Sequence, residues 1–165
     1  MVNAAANAAE RATEGPSLTL TRRLRARPEK VFAAWTQAAQ LVQWFGLPSM
    51  KPATLNAELD VRSGGRYRIS FTRDDGEYFE AGGIYREVVP NERLVWTDAL
   101  LPGYRPSAAP FFTAIIALEP SGSGCRYVAT AIHRDEEGRR KHEEMGFHQG
   151  WGAALDQLVA HARTM

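Results

Sequence analysis

The stretch RYRISFTRDDGEYFEAGGIYREVVPNERLVWT, residues 66–97, decides the fold. Tyr67, Ile69 and Phe71 alternate with polar residues, the period of a strand with one buried face. Asp74-Asp75-Gly76 then marks a turn, and Pro90-Asn91 marks the next. Between them runs one long strand pattern, interrupted by Gly82-Gly83. Paired glycines inside a strand predict a bulge or a sharp bend of the sheet. Arg93 to Thr97 opens a third strand.

Outward from this core the same grammar continues. ATLNAELDVR precedes it and ends in Ser63-Gly64-Gly65. FFTAIIALEP and CRYVATAIHR follow it, joined by the turn SGSG at 121–124. DALLPGYRPSAAP, residues 98–110, reads as a Pro-rich loop that either is plainly structural or acts as a lid. Six tandem strands with short turns predict an antiparallel meander. SLTLTRRLRA, residues 17–26, supplies another strand that can join an edge. Its apolar side is Leu18, Leu20 and Leu24, with Arg22 out of pattern.

Two segments change period. RPEKVFAAWTQAAQLVQWFG, residues 27–46, starts with Pro28 and Glu29, which suit a helix N-terminus. Gly46 and Pro48 stop it, as one broken helix or two short ones. From about Asp135 to the C-terminus, a long helix is expected. Phe147, Trp151, Ala154, Leu155, Leu158 and Ala162 share one face of it. An antiparallel sheet needs one face covered, and this is the element large enough to do so. The expected class is α+β, with a curved antiparallel sheet, a short helical pair and a C-terminal helix laid across the sheet. Residues 1–16 read as a flexible tail and 17–165 as one domain.

The chain has 165 residues and a net charge of +1, which gives no electrostatic case for nucleic acid. A single cysteine, Cys125, allows no intrachain disulfide. No apolar run approaches the ~20 residues of a membrane span, and the N-terminus does not read as a signal peptide. A cytoplasmic protein is the expectation, and a homodimer is compatible with it.

No nucleophile-elbow, phosphate-loop or dinucleotide motif occurs, so no cofactor is expected. On one continuous helix, His142 and His148 would lie about 120° and about 9 Å apart, and His161 would point a third way. His133 stands alone at the end of a strand. HEEMG has Gly146 where a zinc helix would place its second histidine, so no metal site is expected. His148 flanks the apolar stripe and is the histidine able to reach a cavity. Gly146, Gly150 and Gly152 suggest either close backbone approach or a bend.

The aromatic residues supply the remaining signal. Trp44, Tyr67, Phe79, Tyr85, Trp96, Phe112, Phe147 and Trp151, with His148 and Leu155, are the candidate ligand-binding set. A curved sheet cannot touch a straight helix along its whole length, so an apolar pocket with a few polar groups is expected between them.

RARPEKVFAAWTQAAQLVQWFG, ELDVRSGGRYRISF, GGIYREVVPNERLVWT and GFHQGWGAALDQLVAHA together resemble the bacterial homologues of the activator of heat-shock protein ninety ATPase, in the START-like (SRPBCC) superfamily. The resemblance spans about residues 18–162. Its most specific parts are the D-x-R-x-G-G-x-[YW] block at 60–67 and the closing G-W-x-x-x-L-x-x-L pattern. It implies a helix-grip fold around a hydrophobic cavity that takes lipid- or polyketide-like molecules. The eukaryotic co-chaperone has a separate N-terminal domain where this chain has a short Ala-rich stretch, so the family name is not read as the activity. Three functions remain open. The first is binding of a small hydrophobic molecule. The second is a cyclase or hydrolase using Tyr67, Tyr85 and His148, and the third is a protein-interaction module.

Overall fold

A computed structural model describes residues 9–46 and 55–165. Along the chain run β1 (Glu10–Glu14), β2 (Ser17–Leu24), α1 (Pro28–Thr36), α2 (Ala38–Trp44), β3 (Leu55–Leu59), β4 (Arg66–Thr72), β5 (Tyr78–Val89) and β6 (Arg93–Thr97). Then come β7 (Leu100–Leu101), β8 (Arg105–Pro106), β9 (Thr113–Ser121), β10 (Gly124–Ile132), α3 (Glu136–Glu144) and α4 (Phe147–Ala162). Eight strands form one sheet in the order β1-β2-β10-β9-β6-β5-β4-β3. Every pairing is antiparallel. The α+β helix-grip expectation holds: the meander runs from β3 to β10, and β2 closes onto β10.

Register explains which residues fill the core. Leu20 pairs with Ala129, Ala129 with Ile116, and Ile116 with Leu94, so four strands put one buried row on the same face. Phe147, Leu155, Leu158, Val159 and Ala162 of α4 are buried in the same cluster. Each large apolar side chain fully buried this way contributes about 1.5–3 kcal/mol before entropy is counted. Arg22, the exception in the strand pattern, sits opposite Tyr127 on this inward side. Its guanidinium meets Asp156 of α4 at 2.6 Å.

The expected bend lies in β5. A side chain at Gly83 would collide with the Thr97 carbonyl of β6, so glycine lets the two strands approach. The register then slips between Tyr85 and Glu87, placing a bulge just beyond. The short helices divide at Gln37, whose backbone is extended.

Three expectations change. Glu10–Glu14, read as part of a tail, is a strand paired with β2. All five of its residues are exposed, so no apolar alternation marked it. Residues 1–8, Pro48 and the Ala53-Thr54 start of the next strand pattern lie outside the described residues. The long C-terminal helix is two helices: Gly146, with φ +92°, ends α3 and opens α4. The loop at 98–110 contains the small β7–β8 hairpin, which packs against β5. Tyr104 of that hairpin abuts Gly64, with Arg86 over its ring at 5.7 Å.

Candidate functional site

Two aromatic groups line the inner side of the fold. The first joins both short helices to the sheet. Trp35 lies 4.8 Å from Trp44 and 5.0 Å from Trp96, centroid to centroid. Trp96 contacts Tyr67, which contacts Tyr85 at 5.7 Å. Local hydrogen bonds fix this group. The Trp44 indole donates to the Ala34 carbonyl at 2.9 Å, and the Gln157 amide of α4 donates to the carbonyls of Trp44 and Gly46. Burial pushes both tyrosine pKa values upward, assisted by Asp98 at Tyr67 and by Asp60 at Tyr85. Both phenols therefore stay protonated, ready to donate.

The second group surrounds a pair of histidines. His133 Nδ1 lies 2.8 Å from the Pro16 carbonyl, and His133 Nε2 lies 2.8 Å from His142 Nδ1. A carbonyl only accepts, so His133 carries its proton on Nδ1. Its Nε2 then accepts from His142 Nδ1–H, which leaves the His142 lone pair on Nε2. Both rings are buried. Phe111, Phe112 and Phe147 pack around His142 at 4.7–5.0 Å, and Trp151 lies 6.4 Å away. Burial, with His133 adding to it, pushes the His142 pKa down to about 4.

Asp98 stands between the two groups. Its carboxylate accepts from the Phe111 and Phe112 amides at 2.9–3.1 Å, and its charge reaches Tyr67. Burial raises its pKa, and those amide bonds oppose the rise.

The structure therefore divides the candidate residues. Trp44, Tyr67, Tyr85 and Trp96 come together in the first group. Phe112, Phe147 and Trp151 form part of the second. His148 touches this second group through Phe147 alone. Its charged neighbours are Arg11 and Glu143, and its Nδ1 is buried without a partner among the described residues. Leu155 is in the buried core. Phe79 stands apart, stacked on Phe71 at 5.1 Å beneath Arg73.

Trp35, Phe111, Asp98 and the His133–His142 pair were not singled out from the sequence. The helical spacing of Trp35 and the Phe111-Phe112 doublet were visible there. The histidine pair was not, because it joins the end of β10 to a helix that stops at Gly146, and such a contact has no local signal. Among the described residues no group of three or more His, Cys, Asp or Glu side chains could hold a metal. No described helix is long and apolar enough to cross a membrane.

Burial is uneven across the inner face. On β2, β9 and β10, Leu18, Ala114, Ile116, Ala129 and Ala131 are at most 1 % exposed. On β3 and β4 the same face is mixed: Leu55 and Tyr67 are buried, whereas Ala57, Leu59 and Ile69 are only partly buried, as are Trp96, Phe112 and Trp151. The helix closes on one half of the sheet more tightly than on the other.

A sheet bent around one long helix, with a graded inner face, defines the helix-grip class. Within it, residues 25–163 match the family described as Activator of Hsp90 ATPase homolog 1-like protein, and the chain belongs to that family. Protein NE0264 from Nitrosomonas europaea is similar at 35% identity, covering 90% of this chain and 94% of its own, with a TM-score of 0.84. Protein CV1439 from Chromobacterium violaceum is 26% identical, covers 87% and 95%, and has a TM-score of 0.69. The protein of unknown function SA2116 from Staphylococcus aureus shares the fold at 19% identity, covering 94% and 96%, with a TM-score of 0.66. No curated protein matches.

Proposed function

We propose that the domain binds a small hydrophobic molecule between α4 and the less tightly closed half of the sheet. The burial gradient carries this reading: Ala57, Leu59, Ile69, Trp96 and Trp151 are apolar, face inward and keep part of their surface accessible. An apolar ligand gains free energy by covering such surface. Tyr67 and Tyr85 would donate hydrogen bonds to a carbonyl or hydroxyl oxygen at its polar end. The family fold supports a cavity of this kind in this place.

An acid/base enzyme built on Tyr67, Tyr85 and His148 receives less support. The tyrosines contact each other, whereas His148 packs on Phe147 and shares no ring neighbour with them. Exposed large apolar side chains, Tyr78, Tyr104 and Met145, do not by themselves mark out a protein-docking face.

The test uses the neutral fluorophore N-phenyl-1-naphthylamine. Saturable binding is expected, weakened by Trp151→Ala, with native mass spectrometry of gently purified protein showing a co-purified organic molecule. A bare mass together with no saturable fluorescence would sink the reading.

A further inference from the structure

We propose that the groove between the end of β2 and the last turns of α4 is a second binding site, taking an oxyanion headgroup carried on an apolar chain. The groove encloses about 370 Å³. Arg22, Arg23, Arg25 and Arg163 line it, against the single carboxylate of Asp156. It begins where the β1–β2 pairing ends at Thr21.

What sets the place apart is that several arginines gather here around one carboxylate. Elsewhere, Arg62, Arg66, Arg68, Arg93 and Arg139 each have a carboxylate within 3.1 Å, while Arg11, Arg86, Arg105 and Arg134 have no ion pair among the described residues. In the groove, Asp156 is taken by Arg22. Arg23, Arg25 and Arg163 have no ion pair or side-chain hydrogen bond among the described residues. Arg163 gains something from the negative end of α4, but Arg23 and Arg25 are on or just beyond a strand and have no such compensation. The Arg22 side chain is only 14% exposed, and its Nε–H is buried without an acceptor. A buried donor of this kind is satisfied by water or by a ligand oxygen.

Guanidinium groups bind carboxylate and phosphate through paired hydrogen bonds, which neutralises charge and uses several donors at once. Leu24 and Val159 form the buried floor of the groove, and the exposed Ala160 in its wall adds apolar surface that an inorganic ion could not cover. The matching ligand is therefore amphiphilic. The site is separate from the proposed cavity, which lies toward β3, β4 and β6.

Calorimetric titration with dodecyl phosphate below its micelle concentration, beside inorganic phosphate, tests the proposal. Dodecyl phosphate is expected to bind, and to weaken about tenfold between 20 mM and 300 mM salt as screening grows. The Arg25→Gln/Arg163→Gln variant, changed at two exposed positions, should keep its melting curve and lose binding about tenfold or more. Inorganic phosphate binding as tightly as dodecyl phosphate, and lost in the variant, would support the oxyanion site but remove the apolar chain. No binding of either probe, or equal affinity in the variant, would overturn the proposal. N-phenyl-1-naphthylamine carries no charge, so its binding should survive in the variant. Its failure to bind the unaltered protein would remove the cavity reading and leave this one standing.

Discussion

His142 is the buried residue of an otherwise polar helix, and its ring closes a chain of hydrogen bonds that ends on the Pro16 carbonyl. Protonation there must place a charge among aromatic rings beside a second imidazole. A free imidazole titrates near about 6.5, and His142 does so at about 4. Between those values the unfolded chain takes up a proton that the folded chain refuses. Stability therefore falls as pH drops through that window, by up to about 1.4 kcal/mol per pH unit, and levels off below it. Urea unfolding at pH 7.5 and 5.0 should differ by about 2 kcal/mol from this group alone. His142→Gln keeps a donor toward His133 and should shrink the difference. A smaller slope remains from His148, whose pKa is also lowered by burial. An unchanged slope in the variant would assign the effect elsewhere. At this scale the sequence spoke unevenly. Arg22 announced itself by breaking a strand pattern, and its ion pair with Asp156 of α4, largely covered on the arginine side alone, is the reason. His133 and His142 gave no sign, because their contact spans two elements and depends on where one helix stops.

That stop is Gly146. On α3, Asp135 caps the first turn by accepting from the Gly138 amide at 2.8 Å, and Glu136 and Glu137 follow it. Arg139–Glu143, Lys141–Glu137 and Arg140–Glu136 are ion pairs one helical turn apart, a solvated helix by every local signal. Nothing in that composition forbids continuing into α4. The left-handed backbone at Gly146 does, and glycine adopts it without the steric cost other residues carry. The three glycines around Phe147 and Trp151 therefore do not share a role. Gly152 has open space where a side chain would go, so it neither admits a close neighbour nor marks the bend. Gly152→Ala should stabilise the protein by up to about 1 kcal/mol. Gly146→Ala should destabilise it by about 1–2 kcal/mol, by straining the break. Thermal melts of the two variants should move in opposite directions. A stabilising Gly146→Ala would mean that the two helices can fuse.

For the whole molecule, the meander order and the covering helix were legible because alternation, turn residues and helical period are local signals. Closure was less so. The pairing of β2 with β10 joins residues more than a hundred positions apart, and β1 has no buried side chain to betray it. Yet the β1–β2 turn is a structural anchor. The Pro16 carbonyl accepts from both the backbone amide and the Nδ1 of His133, and the Gly15 carbonyl accepts from Arg139 of α3 at 3.2 Å. The N-terminal hairpin thus holds the end of β10 and the start of the helical cover in one place. Removing residues 1–16 would strip β2 of its outer neighbour and leave His133 Nδ1–H without its acceptor. The three hydrogen bonds of the anchor, at about 1 kcal/mol each and two of them leaving donors of the buried His133, predict a loss of at least roughly 3–4 kcal/mol, to which the β1–β2 ladder adds. A dispensable tail would predict none. Urea unfolding of the truncated chain separates the two. The truncation should also raise amide exchange in β10 and α3 before it does so in β4 and β5, because the anchor acts on the former pair alone. Uniform exchange across the sheet, at unchanged stability, would show that the hairpin is an ornament of the edge and that β10 is held by its other neighbours.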